Sequence, residues 1–335
     1  MVTMADVARQ AGVSTMTVSN VLNERRPVGA STRARVLAAA ELLGYEINLT
    51  ARALKAGRTN TVAFIVPTFH DYFGELADEI APLIEAEGRH LVLARTSAEP
   101  EQEMASLSVA HLNLYDGVLL SVAGLNLQQL DRVRSAKPLV LLGERDVPER
   151  FDHIRLANEE GARLATTHMI QRGSRRIVAL GCAFESAHTM AGDRRRGWEL
   201  AHQEAGIRVD RELVVPVSTY SHEAARAALD AVLASGLSFD GVFAATDVLA
   251  LGALAALADH RRRVPEDVQL AGFDNLDISR FVPPGITSID ANHKGVAQQA
   301  VRLLHRRMAD GAAPAEHIVA PVHLVPRGST RALGG

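Results

Sequence analysis

The 335-residue sequence predicts an α/β protein in which a small helical N-terminal unit precedes two doubly wound lobes. Three observations carry this prediction. Residues 3–23 hold two short amphipathic helical periods, residues from Thr61 onward alternate apolar runs of strand length with helical patterns, and charge divides between the two parts. Residues 1–60 contain eight Lys or Arg against four Asp or Glu, a surplus of +4, whereas the rest contains 28 against 35, a net of −7. A basic unit on an acidic body is the asymmetry expected when one end faces phosphate and the other does not.

The first helix starts at Thr3, which can cap the backbone while Asp6 reaches back in a capping box. Met4, Val7, Ala8 and Ala11 then recur at helical spacing. Gly12 supplies a tight turn, Ser14 can cap a second helix, and Val18, Val21 and Leu22 form its apolar stripe. Thr15, Met16, Ser19 and Asn20 are left on the outside. Two helices joined by so short a turn suit a helix-turn-helix, whose second helix presents side chains to the major groove; an ordinary helical hairpin is the plainer alternative. A third helix opens at Thr32-Arg33-Ala34-Arg35, buries Val36, Ala39, Ala40 and Leu43, and stops at Gly44. Asn48 to Gly57 is a further short helix candidate with an Asn start and a Gly stop, too short to persist in isolation.

In the body, strand-like runs fall at Val62–Val66, Leu91–Ala94, Gly117–Leu120, Leu139–Leu142, Ile177–Leu180, Val214–Val217, Gly241–Ala245 and Val268–Phe273. Helical patterns lie between them, among others at Glu75–Glu87, Glu160–Gln171, His222–Ala234 and Val248–Asp259. Continuous apolar strands with helical crossovers imply parallel sheets covered on both faces. Ligands of such sheets bind outside the carboxyl ends of the strands, which places the expected site in a cleft between the lobes.

A hydrophobic content of 47% is ample for packed cores. The single cysteine, Cys182, excludes an intramolecular disulfide, and no apolar stretch is long enough to span a bilayer or resemble a secretory leader, so a cytoplasmic protein without membrane contact is expected. Phosphate-loop, nucleophile-elbow and metal-spacing motifs are missing, which argues against an enzyme and against a bound metal or cofactor.

The run from Thr3 through Asn23, followed by Val28, Thr32-Arg33, Gly44-Tyr45 and Asn48, resembles the headpiece of the lac repressor family of bacterial transcription regulators. The resemblance continues through Ala162 to Ile177, Arg194-x-x-Gly197-Trp198, Asp247-x-x-Ala250-Leu251-Gly252, Gly272-Phe273-Asp274 and Leu324-Val325-x-Arg327-x-Ser329-Thr330. It implies the type I periplasmic-binding-protein fold for the body, crossed three times by the chain near 157, 289 and 319. Expected boundaries are a headpiece at 1–46, a hinge helix and linker at 47–60, and a body at 61–335, with one lobe formed by 61–157 and 290–318 and the other by 158–289 and 319–335.

The resemblance also implies a homodimer that binds double-stranded operator DNA and answers to a small-molecule effector, a sugar or sugar derivative, with a purine-like corepressor as the alternative. Thr15, Met16 and Asn20 would read bases, while Thr3, Ser14, Thr17, Ser19, Asn23 and Thr32 would position the backbone. In the hinge, Leu54 would wedge into the minor groove beside Ala51, with Asn48 and Arg52 near phosphates. Phe73, Arg194, Tyr220, Thr246, Asp247 and Asp274 would line the effector cleft. The chain departs from the family at Glu46-Ile47, where proline is usual, at Thr246, where asparagine is common, and at Ala157, where aspartate is frequent. After Thr330 too few residues follow for a tetramer-forming coiled coil, so two chains per particle are expected.

Overall fold

A computed structural model describes residues 2–23, 27–45, 58–135, 137–184 and 188–332. They form two compact units divided between Thr59 and Asn60. In the N-terminal unit, α1 spans Met4–Ala11, α2 Thr15–Asn23 and α3 Ala30–Leu42. Both halves of the capping box at α1 are present: the Asp6 amide donates to Thr3 Oγ1, and the Thr3 amide donates to Asp6 Oδ2 at 3.0 Å. Gly12 adopts φ +63°, a left-handed turn that a side chain would strain, and lets α2 fold back across α1. Ser14 Oγ accepts from the Thr17 amide at 3.1 Å, starting α2. The core joins Val7, Ala8 and Ala11 to Val18 and Val21, and to Val36, Ala39 and Ala40 of α3.

The body, Asn60–Gly335, contains two six-stranded sheets. The first orders β11 (His317–Ala320), β5 (Asp152–Leu156), β4 (Leu139–Leu142), β3 (Gly117–Ser121), β1 (Thr61–Val66) and β2 (His90–Arg95), all parallel. The second orders β12 (His323–Val325), β10 (Thr287–Asp290), β9 (Gln269–Asp274), β8 (Gly241–Ala244), β6 (Ile177–Leu180) and β7 (Val214–Val215), where only β12 runs antiparallel. The central strands β1, β3, β4, β6, β8 and β9 are buried almost throughout, as their apolar runs require.

Helices cover these sheets. The longer ones are α4 (Asp71–Glu85) and α12 (His293–Ala309) on the first sheet, and α8 (Asn158–Gln171), α9 (Met190–Glu204), α10 (His222–Ser235) and α11 (Asp247–Asp259) on the second. Shorter helices α5 (Pro100–Ser106), α6 (Val109–Leu112) and α7 (Leu127–Asp131) complete the first lobe. The α8/α9 crossing is close because Gly197 has no side chain: a Cβ there would stand 2.0 Å from the Glu159 carbonyl oxygen. Its neighbour Trp198 is fully buried and donates Nε1 to the Ile177 carbonyl at 3.0 Å.

The chain passes between sheets after Leu156, after Asp290 and after Ala320. The second and third passages fall slightly beyond the expected 289 and 319, because Asp290 still pairs in β10 and Val319 and Ala320 still pair in β11. Three further expectations shift. The strand expected over Val214–Val217 ends at Val215, the helix expected from Glu75 begins at Asp71, and α3 begins at Ala30, ahead of Thr32. Among the described residues no helix is long and apolar enough to cross a membrane.

Candidate nucleic-acid interface and ligand cleft

On α2, Thr15 and Met16 are exposed, whereas Ser19 and Asn20 are half-buried. Met16 is 67% exposed, on the face of α2 opposite the packed Val18 and Val21. Thr3 and Ser14 are engaged locally: the Thr3 hydroxyl donates to Asp6 Oδ2 at 2.6 Å, which holds the Asp6 carboxyl below its ordinary range, and Ser14 Oγ lies 2.9 Å from Thr17 Oγ1. Thr32 is half-buried on the first turn of α3. Asn23 is the last residue of α2. The hinge positions Asn48, Ala51, Arg52 and Leu54 lie outside the described residues.

In the body, the carboxyl ends of the two sheets enclose a cavity of about 460 Å³, within the usual range for small-molecule pockets. Phe73, Arg194, Tyr220, Thr246 and Asp274 all line it. Phe73 comes from the first turn of α4, Arg194 from α9, Thr246 from the start of α11 and Asp274 from the end of β9.

Arg194 is the centre of the site. Only 3% exposed, it donates Nε to Asn158 Oδ1 at 2.7 Å and one terminal nitrogen to the Ala245 carbonyl, and its other terminal nitrogen stands 3.5 Å from Asp274 Oδ1. Its guanidinium lies 3.4 Å above the Phe273 ring centroid. The triplet Gly272-Phe273-Asp274 therefore has three separate duties. Gly272 leaves room for Asp247, whose Oδ1 would sit 2.1 Å from a Cβ there, Phe273 supports the guanidinium, and Asp274 presents a carboxylate to the cleft.

Asp247 does not line the cavity, contrary to expectation. Its carboxylate turns inward, where Oδ2 accepts from the Leu276 amide at 2.8 Å and Ser279 Oγ at 2.7 Å, and Oδ1 accepts from Ser288 Oγ at 2.6 Å. It is a fully buried staple joining α11 to the segment after β9 and to β10. The hydroxyl of Thr246 caps α11 by accepting from the Leu249 amide at 3.2 Å, and Tyr220 donates its hydroxyl to the Gly181 carbonyl at 3.1 Å. The closing motif is likewise structural: Ser329 Oγ donates to the Leu270 carbonyl at 2.6 Å, and Thr330 Oγ1 lies 2.8 Å from His168 Nε2.

Sequence reasoning missed Glu144 and Tyr72, both in the cavity wall. Glu144 follows β4, and the rule that ligands sit beyond strand carboxyl ends could have found it. Its Oε1 accepts from the Leu156 amide at 3.1 Å at the first crossover. Burial pushes its carboxyl up to about 7, opposed by the Leu156 amide, Arg194 and Asn158. Asp274 is pushed up to about 8, chiefly by burial, with Arg194 opposing and Asp247 adding to the rise.

The sign of the consequence for stability follows from linkage. A carboxyl raised in the folded state contributes stabilisation that is complete below its ordinary value and is lost as pH rises through the folded value. His168 and His293, lowered to about 4 by burial, act in the opposite sense, but only below the ordinary histidine value of 6.5. Between about pH 7 and about pH 8.5 the Asp274 contribution should therefore dominate. Thermal melting of the ligand-free chain is expected to fall across that window, and Asp274→Asn to flatten the fall; a parallel slope in the variant would refute the assignment.

Comparison with known proteins agrees with this architecture. Residues 3–48 match the family described as bacterial regulatory proteins, lacI family, and residues 166–330 match a periplasmic binding protein-like domain. The HTH-type transcriptional repressor PurR of Histophilus somni (strain 2336) is 31% identical, over 99% of this chain and all of the relative. The structure of a transcriptional regulator CelR–cellobiose complex is 30% identical over 98% of this chain and all of that one, with a TM-score of 0.70. A lac repressor dimer bound to operator and the anti-inducer ONPF shares the fold at a TM-score of 0.81 and 24% identity, over 99% of each chain. The chain belongs to the LacI family of bacterial transcriptional regulators.

Proposed function

We propose that this chain is a homodimeric repressor that binds a two-fold operator through Thr15, Met16 and Asn20, and that a small molecule in the interlobe cleft sets its operator affinity. The observation that carries the reading is the cavity at the sheets' carboxyl edges, in a chain whose residues 3–23 form a capped helix-turn-helix with an exposed Met16. The mechanism is a population shift: the ligand favours one lobe arrangement, and the paired headpieces fit both half-sites in only one arrangement. Leu54, with Asn48, Ala51 and Arg52, takes the minor-groove role, and DNA as target places the protein in the cytoplasm.

We assign the ligand to the sugars or sugar derivatives. The aromatic rings of Tyr72 and Phe73, packed edge to face at 5.2 Å, can cover a ring, while Asp274 and Glu144 can accept from hydroxyls. The cellobiose complex of the CelR relative supports the class. A flat heterocycle such as a purine is the second reading, favoured by the apolar side chains of Met190, Val248 and Leu142 in the same walls.

Assembly into dimers has its own surface signature. Phe281 is 66% exposed and Ile278 is 47% exposed on one short turn, beside the half-buried Gly74 and the exposed Asp78 of α4. Monomers seldom present such neighbouring apolar groups without covering them. Phe281→Asp is expected to convert the dimer to monomer in light scattering and to lower operator affinity, since one headpiece cannot span two half-sites.

Base reading is tested by binding-site selection. Exchange of Thr15, Met16 or Asn20 should change the selected half-site, with Met16 contributing an apolar contact such as one to a thymine methyl. An unchanged preference in all three variants would defeat the assignment.

A further inference from the structure

Among the described residues, a hydrogen bond joins the lobes directly, away from the crossover segments: the Asp277 amide of the second lobe donates to Glu75 Oε1 of the first at 2.8 Å. Both ends are tied to the cleft. Glu75 lies one turn beyond Tyr72 and Phe73 on α4, and all three are carried by the same rigid helix. Asp277 follows Asp274 on a segment that the Asp247 carboxylate pins through the Leu276 amide and Ser279. A movement that separates α4 from the segment 274–279 must therefore stretch this bond.

The bond is also opposed by its surroundings. Burial raises the Glu75 carboxyl above its ordinary value, the Asp277 amide opposes the rise, and the negative charges of Asp277 across the gap and of Asp71 and Asp78 on α4 add to it. Arg280 pairs with Asp277 and offsets part of this repulsion. A bond made among like charges forms a contact that closes readily and opens readily.

We propose that Glu75 is an interlobe clasp that holds the ligand-free cleft closed and whose release accompanies lobe opening. Its regulatory meaning rests on the function proposed above, but its existence does not. Hydrogen exchange of the full-length dimer without ligand tests it. Glu75→Ala removes the acceptor and should speed exchange roughly tenfold in both cleft walls, residues 121–126 and 189–194, while the core strand 177–180 stays protected. Glu75→Gln keeps an acceptor oxygen and removes the repelled charge, so its cleft walls should exchange no faster than those of the parent.

Acceleration confined to 275–279, acceleration shared by 177–180, or Glu75→Gln behaving as Glu75→Ala would each overturn the clasp. Operator affinity of the same variants, read by gel shift, bears on the regulatory role separately. A clasp present in exchange but without effect on operator binding would leave the clasp standing and count against its regulatory role.

Discussion

The second lobe is organised around a buried guanidinium. Arg194 holds the start of α8 through Asn158, the end of β8 through the Ala245 carbonyl and the end of β9 through Asp274 and Phe273, so three strand-to-helix junctions are registered by one side chain. Burying a cation costs several kcal/mol unless its donors are taken up, and here each of its three nitrogens has an acceptor. Removing it would strip Asn158 Oδ1 and the Ala245 carbonyl of their donor, a loss of about 1–3 kcal/mol for each buried group left unsatisfied.

Much of this architecture was legible because it rests on local signals. The capping box at Thr3 and Asp6, the turn at Gly12 and the apolar stripes of α1 to α3 depend on residues three or four apart. The buried parallel strands read as unbroken apolar runs. β5, β10, β11 and β12 did not, since Asp152-His153-Ile154-Arg155-Leu156 and Thr287-Ser288-Ile289-Asp290 mix polar with apolar residues. Their polar groups are satisfied over long sequence distances: the fully buried Asp152 accepts from Arg306 and Arg307, and Ser288 donates to Asp247. No local pattern announces such pairings.

The cleft shows the same division. Residue chemistry and resemblance brought Arg194, Asp274, Phe73, Tyr220 and Thr246 to one cavity, but they could not tell a carboxylate aimed at the cleft from one aimed into the lobe. Asp247 went the other way because three donors from 276–288 converge on it. Glu144 belongs to the wall although its sequence neighbourhood, Gly143-Glu144-Arg145, reads as an ordinary surface turn. A polar side chain's partner, more than its type, decides whether it serves the fold or the site.

A cleft in one compact unit and a helix-turn-helix in another can cooperate only through a coupling free energy, and such coupling is reciprocal. The most direct measurement is a paired titration: operator affinity with and without a saturating cleft ligand, and ligand affinity with and without operator. If the cleft and the helix-turn-helix are coupled, the two ratios differ from one and agree. A ligand that stabilises the body yet leaves operator affinity unchanged would contradict that coupling.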